Sequence, residues 1–417
     1  MNKRVKYLLF FFCLYIYLHN PHIQLFGRDF GCIKLLYIPA LCFVIQNVNT
    51  FRGYMRCFRK ELNFLLFIYL YIIFRTVLGG DLEFIWQQFI VIMEIFLLPG
   101  WMLYLAYKIK VDNEEKIMHS LLLIGAVGTV ISTLCIAIPP FNEFIRSFFL
   151  TLTPDSYLIE HTYRGYGISE GLTSSYGYIQ GTMVVLGALY SQNNKWFLFF
   201  LPFTFVTALL NARTGAIISA IGVLLFFLLS RQYKLSLLIL GIGVILLMNF
   251  YAFLSFLNVG DDTLAFIELF LAQLDAIRTN NASEAAYVEE LFDTMFVLPN
   301  STEQWWIGRG FSLFRNTRGL PPSDVGFILQ LNYGGLIYVS LLFSFVFFII
   351  KKLFKSGYIF FAFFNLFLFV LLDTKSEYIL NSGEFRLMIL IYVFLLMDKY
   401  RQKKLQRLQS ALIKSKI

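Results

Sequence analysis

Residues 195–230 read KWFLFFLPFTFVTALLNARTGAIISAIGVLLFFLLS, two apolar runs that meet at a short polar segment containing Arg213. Each run approaches the roughly 20 residues that an α-helix needs to cross a bilayer. An arginine at membrane depth costs about 2.5–3.5 kcal/mol on insertion scales, so an ionisable residue there is a functional candidate by default. The stretch therefore predicts a pair of membrane helices and a functional role for Arg213. An arginine that extends to the lipid headgroups is the alternative interpretation.

The composition of the whole chain indicates the same class of protein. Of the 417 residues, 58% are hydrophobic and 15% are charged, whereas soluble domains have about 45–50% apolar and about 25% charged residues. We predict an all-α polytopic membrane protein in which residues 1–417 form a single integral membrane domain. About twelve transmembrane helices are predicted, at residues 6–19, 32–48, 62–78, 85–107, 117–138, 172–190, 195–210, 213–230, 235–257, 327–350, 357–372 and 386–398.

The distribution of basic residues predicts the orientation of these spans. About two thirds of the 35 Lys and Arg residues fall in the segments that face inward if the N-terminus is inside. The positive-inside rule therefore predicts that both termini are cytoplasmic. The basic C-terminal segment, 399–416, then contacts the inner leaflet of the bilayer. Because this orientation explains the net charge of +9, no nucleic-acid partner is predicted.

Two long outer loops are predicted, over residues 139–171 and 258–326. Loops of this length without structure of their own are uncommon unless they are functional. Arginines gathered at one membrane face indicate an anionic ligand, phosphate above all, because the guanidinium group grips phosphate oxygens in two-point contacts. The arginines of the two loops that we select as site candidates are Arg164, Arg309, Arg315 and Arg318.

A cluster of aromatic, glycine and polar residues leads into the predicted span 172–190. Its centre is the sequence YRGYG at 163–167, and Glu170 and Tyr178 follow. Glycines permit close approach of a ligand to the backbone, and aromatic rings beside polar groups suit stacking on sugars. We predict that Tyr166, Glu170 and Tyr178 bind substrate near Arg164. An interfacial belt of Tyr and Arg is the alternative interpretation.

A second cluster lies at the end of the long loop 258–326. The sequence WWIGRGF at 305–311 contains an arginine between two glycines, and SDVGF at 323–327 leads into the next span. Ser and Asp are also good residues for starting a helix, so helix capping is the alternative, and the two roles are compatible. The predicted site residues here are Glu303, Trp305, Trp306, Arg309, Arg315, Arg318 and Asp324. A weaker set falls in the last predicted outer loop, where solvation explains most of it and one or two members are candidates for the site lining: Asp373, Lys375, Glu377, Tyr378, Glu384 and Arg386.

No sequence feature indicates a metal or a cofactor. The chain has no Walker loop, no outer His/Cys cluster with zinc spacing and no Asp-x-Asp pair. We therefore predict a site that works through its own side chains, with no metal and no cofactor.

The order of four motifs resembles a known family. Arg-Thr-Gly opens a span at 213–215, Ile-Gly-Arg-Gly stands at 307–310, Ser-Asp-x-Gly-Phe at 323–327 and Tyr-Gly-Gly-Leu at 333–336. The pattern resembles the O-antigen and surface-polysaccharide polymerases (Wzy-like) and, more distantly, the O-antigen ligases. The resemblance covers about residues 160–340 by motif and the whole chain by topology.

This resemblance implies a glycosyl transferase of the bacterial inner membrane with a GT-C-type helical fold and a site open to the periplasm. Its substrates are oligosaccharide repeat units on undecaprenyl diphosphate. In this scheme Arg213 and Arg309 bind diphosphates and Arg164 binds a diphosphate or a sugar. Asp324 is the first choice for the general base, with Glu170 and Glu303 in reserve, and the candidate aromatic residues stack on sugars.

Two other functions remain open at this point. An O-antigen ligase differs in its acceptor, but the related ligases commonly carry a His in the region where this chain has Asp324, which favours the polymerase. A lipid-linked oligosaccharide flippase also has about twelve spans, but its charged residues line a central cavity between related halves. Here the arginines gather at one face and no repeat is visible. A polysaccharide chain-length regulator is a further partner that the resemblance allows.

Overall fold

A computed structural model gives the fold of residues 3–25, 28–149, 167–169, 175–191, 195–230, 295–314, 318–374 and 383–414. These residues are mostly helical. The helices are α1 (Lys3–His19), α2 (Tyr37–Gln46), α3 (Val48–Cys57), α4 (Arg59–Val77), α5 (Glu83–Ile92), α6 (Leu98–Lys108), α7 (Glu114–Ala137), α8 (Pro139–Phe149), α9 (Ser175–Tyr190), α10 (Trp196–Asn211), α11 (Arg213–Ser230), α12 (Thr302–Ile307), α13 (Gly326–Lys355), α14 (Ile359–Asp373) and α15 (Gly383–Lys414).

The predicted membrane class is confirmed by the length and composition of these helices. Three stretches of the described chain are long and apolar enough to cross a membrane: Phe84–Lys108, Glu114–Ala137 and Gly326–Lys355. A bent pair, Cys32–Gln46 and Val48–Cys57, adds a fourth if it forms one span. Every predicted span except 235–257, which lies outside the described residues, overlaps one of the helices. Several of those helices are shorter than a full crossing, so the number of twelve spans stays a prediction.

The structure departs from the predicted pattern of straight spans and loops in three places. Strands β1 (His22–Leu25) and β2 (Arg28–Gly31) pair antiparallel in the first outer segment. The predicted span 32–48 bends by 102° into α3 instead of continuing straight. The loop predicted over 139–171 begins with α8.

The bend before α3 follows from the amphipathic sequence of that helix. Tyr54 is buried. Its ring packs so closely on Gly100 that a Cβ at that glycine would lie 2.7 Å from the ring, and its hydroxyl donates to the Phe96 carbonyl (3.1 Å). Arg52 and Arg56, on the other face of α3, are exposed. A helix with one apolar face and one basic face gains most by lying across the end of the bundle.

Glycines bring α9 and α11 together as a parallel pair. A Cβ built on Gly181 would lie 2.3 Å from the carbonyl oxygen of Gly215, so the two backbones touch. Ser219 also hydrogen-bonds the carbonyls of Gly215 (2.9 Å) and Gly181 (3.4 Å). Small residues permit such close packing in membrane bundles, where dispersion forces drive helix association. This contact fixes Arg213, the first residue of α11, beside the start of α9.

Helices α4 and α13 run antiparallel and define two ends of the bundle. At one end, Glu61 of α4 accepts hydrogen bonds from Lys352 and from the buried hydroxyl of Tyr392. The same end contains the Arg401–Asp112 ion pair (3.1 Å). We call it the basic end. Its charged residues belong to the segments predicted to face inward, and Tyr392 lies in the predicted span 386–398. The opposite end of α4 and α13 gathers residues of the predicted outer segments.

The two ion pairs of the basic end differ in burial, and this predicts different stabilities of their variants. The Glu61 side chain is 2% exposed, whereas Arg401 and Asp112 are 44% and 28% exposed. Lys352→Met leaves a buried carboxylate without its cation, so we expect the free energy of unfolding to fall by about 3–5 kcal/mol. Arg401→Met should lower it by at most about 1 kcal/mol. Unfolding of both purified variants in one detergent checks this, and equal losses would contradict it.

Candidate functional site

A break in α13 forms the centre of the candidate site. Gly335 has φ 67° and ψ −170°, values outside the helical region, so the helix is interrupted there. The break releases backbone carbonyls that a continuous helix would use internally. The carbonyl of Asn332 accepts from the amide of Arg309 (2.5 Å), and that of Tyr333 accepts from Gly310 (3.0 Å). The carbonyl of Gly334 accepts from the Tyr71 hydroxyl of α4 (2.6 Å).

Glycines on both sides make this contact possible. A Cβ on Gly308 would lie 2.5 Å from the carbonyl group of Tyr333, and a Cβ on Gly335 would lie 2.3 Å from that of Trp306. Both glycines have positive φ, which side chains rarely tolerate. The two motifs singled out in the sequence, 307–310 and 333–336, therefore bind each other backbone to backbone. We call the segment Gly308–Gly310 the glycine turn.

Arg75 of α4 hydrogen-bonds the backbone of the glycine turn. Its side chain is buried, with the residue 6% exposed, and donates from Nη2 to the Gly308 carbonyl (3.1 Å) and from Nη1 to Leu78 (3.3 Å). The amide of Asp81 donates to the Gly310 carbonyl (2.8 Å). The sequence prediction missed Arg75. The signal was present, because Arg75 lies inside the predicted span 62–78, and ionisable residues inside spans are functional candidates.

A pocket of about 580 Å³ opens beside the glycine turn. It contains two of the predicted site arginines, Arg309 and Arg318, together with the predicted Glu303 and the unpredicted Arg75. Polar side chains between Asn300 and Gln304 form its other wall. The full lining is Arg75, Leu78, Asn300, Ser301, Glu303, Gln304, Ile307, Gly308, Arg309, Phe311, Arg318 and Leu320.

Arg309 is held in place by the polar wall of the pocket. Its Nη2 donates to the carbonyl of Leu298 (2.8 Å) and to Oδ1 of Asn300 (3.2 Å), and its Nε donates to Oε1 of Gln304 (3.2 Å). Partial burial lowers the pKa of Arg309 from its usual 12.5, because the charged guanidinium loses part of its hydration. An anion in the pocket offsets this desolvation, since it stabilises the charged form.

Arg318 closes the more exposed side of the pocket. Its Nη2 lies 2.7 Å from Oδ1 of Asp81, and its guanidinium carbon lies 4.7 Å from the ring centre of Phe311. With the Arg318 side chain 47% exposed, the ion pair is solvated and weak. The guanidinium can therefore exchange Asp81 for a stronger anionic partner at little cost.

The other predicted residues lie away from the pocket or outside the described chain. Arg164, Tyr166, Glu170 and Arg315 are outside the described residues. Arg213 is half-buried at the start of α11, and Tyr178 is 2% exposed within α9. Neither of these two lines the pocket, so their predicted roles in catalysis and sugar stacking stay predictions.

Three predicted residues lie near the motifs but not in the pocket lining. Trp306 is 56% exposed and Trp305 is half-buried, both on α12. Asp324 is exposed, directly before α13. The amide of Val325 bonds to Oγ of Ser323 (3.2 Å), so Ser323 orders this helix entry. The role of Asp324 as general base stays a prediction, whereas Glu303 is the predicted carboxylate that lines the described pocket.

Comparisons with known proteins identify no relative. No protein-family model, curated protein or solved structure matches the chain. Among the described residues, no group of three or more His, Cys, Asp and Glu is arranged to hold a metal ion. The function of the chain is therefore inferred from the chemistry of the arginine pocket.

The glycine contact predicts an unequal response to alanine at three glycines. Gly335→Ala introduces both a clash and a disfavoured φ, so we expect a loss of about 2 kcal/mol or more in stability. Gly319 also has a positive φ (85°), but a Cβ there would have no atom within 4 Å. Gly53 has neither a positive φ nor a neighbouring atom within 4 Å of a Cβ. Unfolding of the purified variants should rank the losses Gly335→Ala, then Gly319→Ala, then Gly53→Ala. A loss at Gly335 no larger than that at Gly319 would refute the backbone contact.

Proposed function

We propose that this protein is a glycosyl transferase that polymerises undecaprenyl-diphosphate-linked repeat units into O-antigen or a related surface polysaccharide. The proposal includes a GT-C-type fold of about twelve spans in the bacterial inner membrane, both termini in the cytoplasm and the site at the periplasmic face. The observation that carries it is the pocket that combines Arg75, Arg309 and Arg318 beside the break in α13. Its residues between 300 and 320 belong to the long loop predicted to face outward, and Arg75 and Leu78 lie at the outer end of the predicted span 62–78.

The pocket suits transfer from a lipid diphosphate because of where charge develops in that reaction. The acceptor hydroxyl oxygen bonds to the anomeric carbon of the donor, and the bond from that carbon to the diphosphate oxygen breaks. The leaving diphosphate gains negative charge as it departs. Fixed guanidinium groups stabilise that charge more in the transition state than in the ground state. Arg309, fixed by hydrogen bonds to Leu298, Asn300 and Gln304, meets this requirement.

The acceptor hydroxyl also has to lose a proton. A positioned carboxylate contributes typically 10²–10⁴-fold by accepting it. Glu303 lines the pocket, and this supports it as the proton acceptor ahead of Asp324, the first choice from the sequence. In this role Glu303 takes the proton as the new glycosidic bond forms.

Surface glycans of a deletion strain test the proposed function. Complementation with wild type should restore a ladder of core-attached chains, and Arg309→Ala should leave core plus one repeat unit. Loss of a single preorganised donor to a developing charge costs about 10²–10³ in rate. Arg309→Lys should also fail, because the two-point geometry is lost. The matched control is Arg401→Ala at the basic end, which should restore the ladder.

The same gel separates the alternatives. A deletion that removes every core-attached repeat, including the first, would indicate ligation or flipping and would overturn polymerisation. A full ladder with Arg309→Ala would overturn the role of the pocket. Glu303→Gln and Asp324→Asn, compared in parallel, identify the proton acceptor. The variant that loses the ladder has lost the acceptor, and the variant that retains the ladder has not.

A further inference from the structure

Two cations inside the bundle of the described chain have carboxylate partners: Lys352, whose side chain is 31% exposed, and the buried Arg386. Lys352 binds Glu61, and Arg386 binds Glu94 with Nη1 and Oε2 3.2 Å apart. Arg75 is as buried as Arg386, at 6% and 8% exposure. Within the described residues, however, Arg75 forms no ion pair, and its side-chain hydrogen bonds go to two backbone carbonyls, those of Gly308 and Leu78.

This arrangement leaves much of the Arg75 guanidinium unsatisfied. The group carries five N–H donors, and the buried Nε has no acceptor in the part of the chain that the structure describes. The nearby carboxylate of Asp81 is bound to Arg318. Taking a charge out of water is costly unless it is paired, so buried charges in proteins normally have a counter-ion.

The pocket is where such a counter-ion can enter. Arg75 lines it, and Arg309 and Arg318 stand around the same space. We propose that the pocket binds a phosphate-class anion, with Arg75 as the most buried of three cations that contact or neutralise it. The charge of three guanidinium groups matches a diphosphate better than a single carboxylate. This inference rests on the proposed function for the source of the anion, but anion binding itself is independent of glycosyl transfer.

Arg75 also connects the anion to the glycine turn. The guanidinium that faces the pocket is the one that donates to the Gly308 carbonyl, next to Arg309. An anion that moves the Arg75 guanidinium toward the pocket therefore also shifts the hydrogen bond to Gly308, and with it the position of Arg309. Arg75 is in this sense both an anion-binding residue and a positioning residue for Arg309.

Pyrophosphate binding to the purified full-length protein in phosphatidylcholine nanodiscs tests the inference. Isothermal titration should show binding to wild type, and Arg75→Met should weaken it at least about tenfold, or roughly 1.4 kcal/mol. Arg75→Lys should fall between the two. The matched control is Arg52→Met, an exposed arginine of α3 at the basic end, which should bind as wild type does. Equal affinity of wild type and Arg75→Met, or equal weakening by Arg52→Met, would overturn the proposal.

Two further variants keep the test valid if Arg75→Met disturbs the fold. Arg318 is exposed, so Arg318→Met should fold normally and still weaken pyrophosphate binding. Asp81→Asn removes the residue that competes for Arg318, so it should strengthen binding several-fold. A gain of affinity cannot come from misfolding. Unchanged affinity in both variants would overturn the three-cation pocket.

Competition identifies the source of the anion. Polyprenyl diphosphate should displace pyrophosphate at lower concentration than phosphatidylglycerol does, because it carries the same diphosphate group. If phosphatidylglycerol competes better, the diphosphate assignment is wrong. If pyrophosphate binds as expected while Arg309→Ala retains a full glycan ladder, the anion site stands and the proposed function fails. If Arg309→Ala collapses the ladder but Arg75→Met leaves the pyrophosphate affinity unchanged, the proposed function stands and this inference fails.

Discussion

The backbone contact between the glycine turn and the broken helix α13 is the constraint on which the site depends. A continuous α13 would use the carbonyls of Asn332 and Tyr333 internally, whereas the break at Gly335 offers them to the amides of Arg309 and Gly310. Gly308 on one side and Gly335 on the other have no Cβ atom, and this leaves room for the opposite backbone. The arginine between the two glycines is thereby fixed at the edge of a pocket instead of on a free loop.

The distribution of buried charge gives this contact its functional meaning. At the basic end, the cation of Lys352 is neutralised by Glu61, which makes that site structural. At the opposite end, Arg75 is buried beneath the glycine turn and its described partners are neutral carbonyls. A protein stabilises a buried cation most simply with a carboxylate. A buried cation that faces a pocket with two more arginines is better explained by a ligand that brings the negative charge.

Local sequence patterns predicted the helices well and the site in part. Apolar runs locate α7, α11 and α14 because hydrophobic length is a property of the segment itself. The motifs 307–310 and 333–336 were recognisable as unusual glycine sequences. Their mutual contact was not predictable, since its backbone hydrogen bonds join residues 23 positions apart in the chain, Arg309 to Asn332 and Gly310 to Tyr333. The bend at Asn47 and the role of Arg75 also depend on tertiary packing, although the depth of Arg75 in an apolar run was a usable signal.

We propose that the glycine turn and Arg75 form a diphosphate site at the end of α4 and α13 opposite the basic end. The most direct measurement is a cryo-electron microscopy structure of the full chain in nanodiscs with a non-reactive polyprenyl diphosphate analogue. We expect diphosphate density within hydrogen-bond distance of Arg75 and Arg309, with the glycine turn bound to the Tyr333 carbonyl. Diphosphate density at Arg213 alone, with the arginine pocket empty, would contradict it.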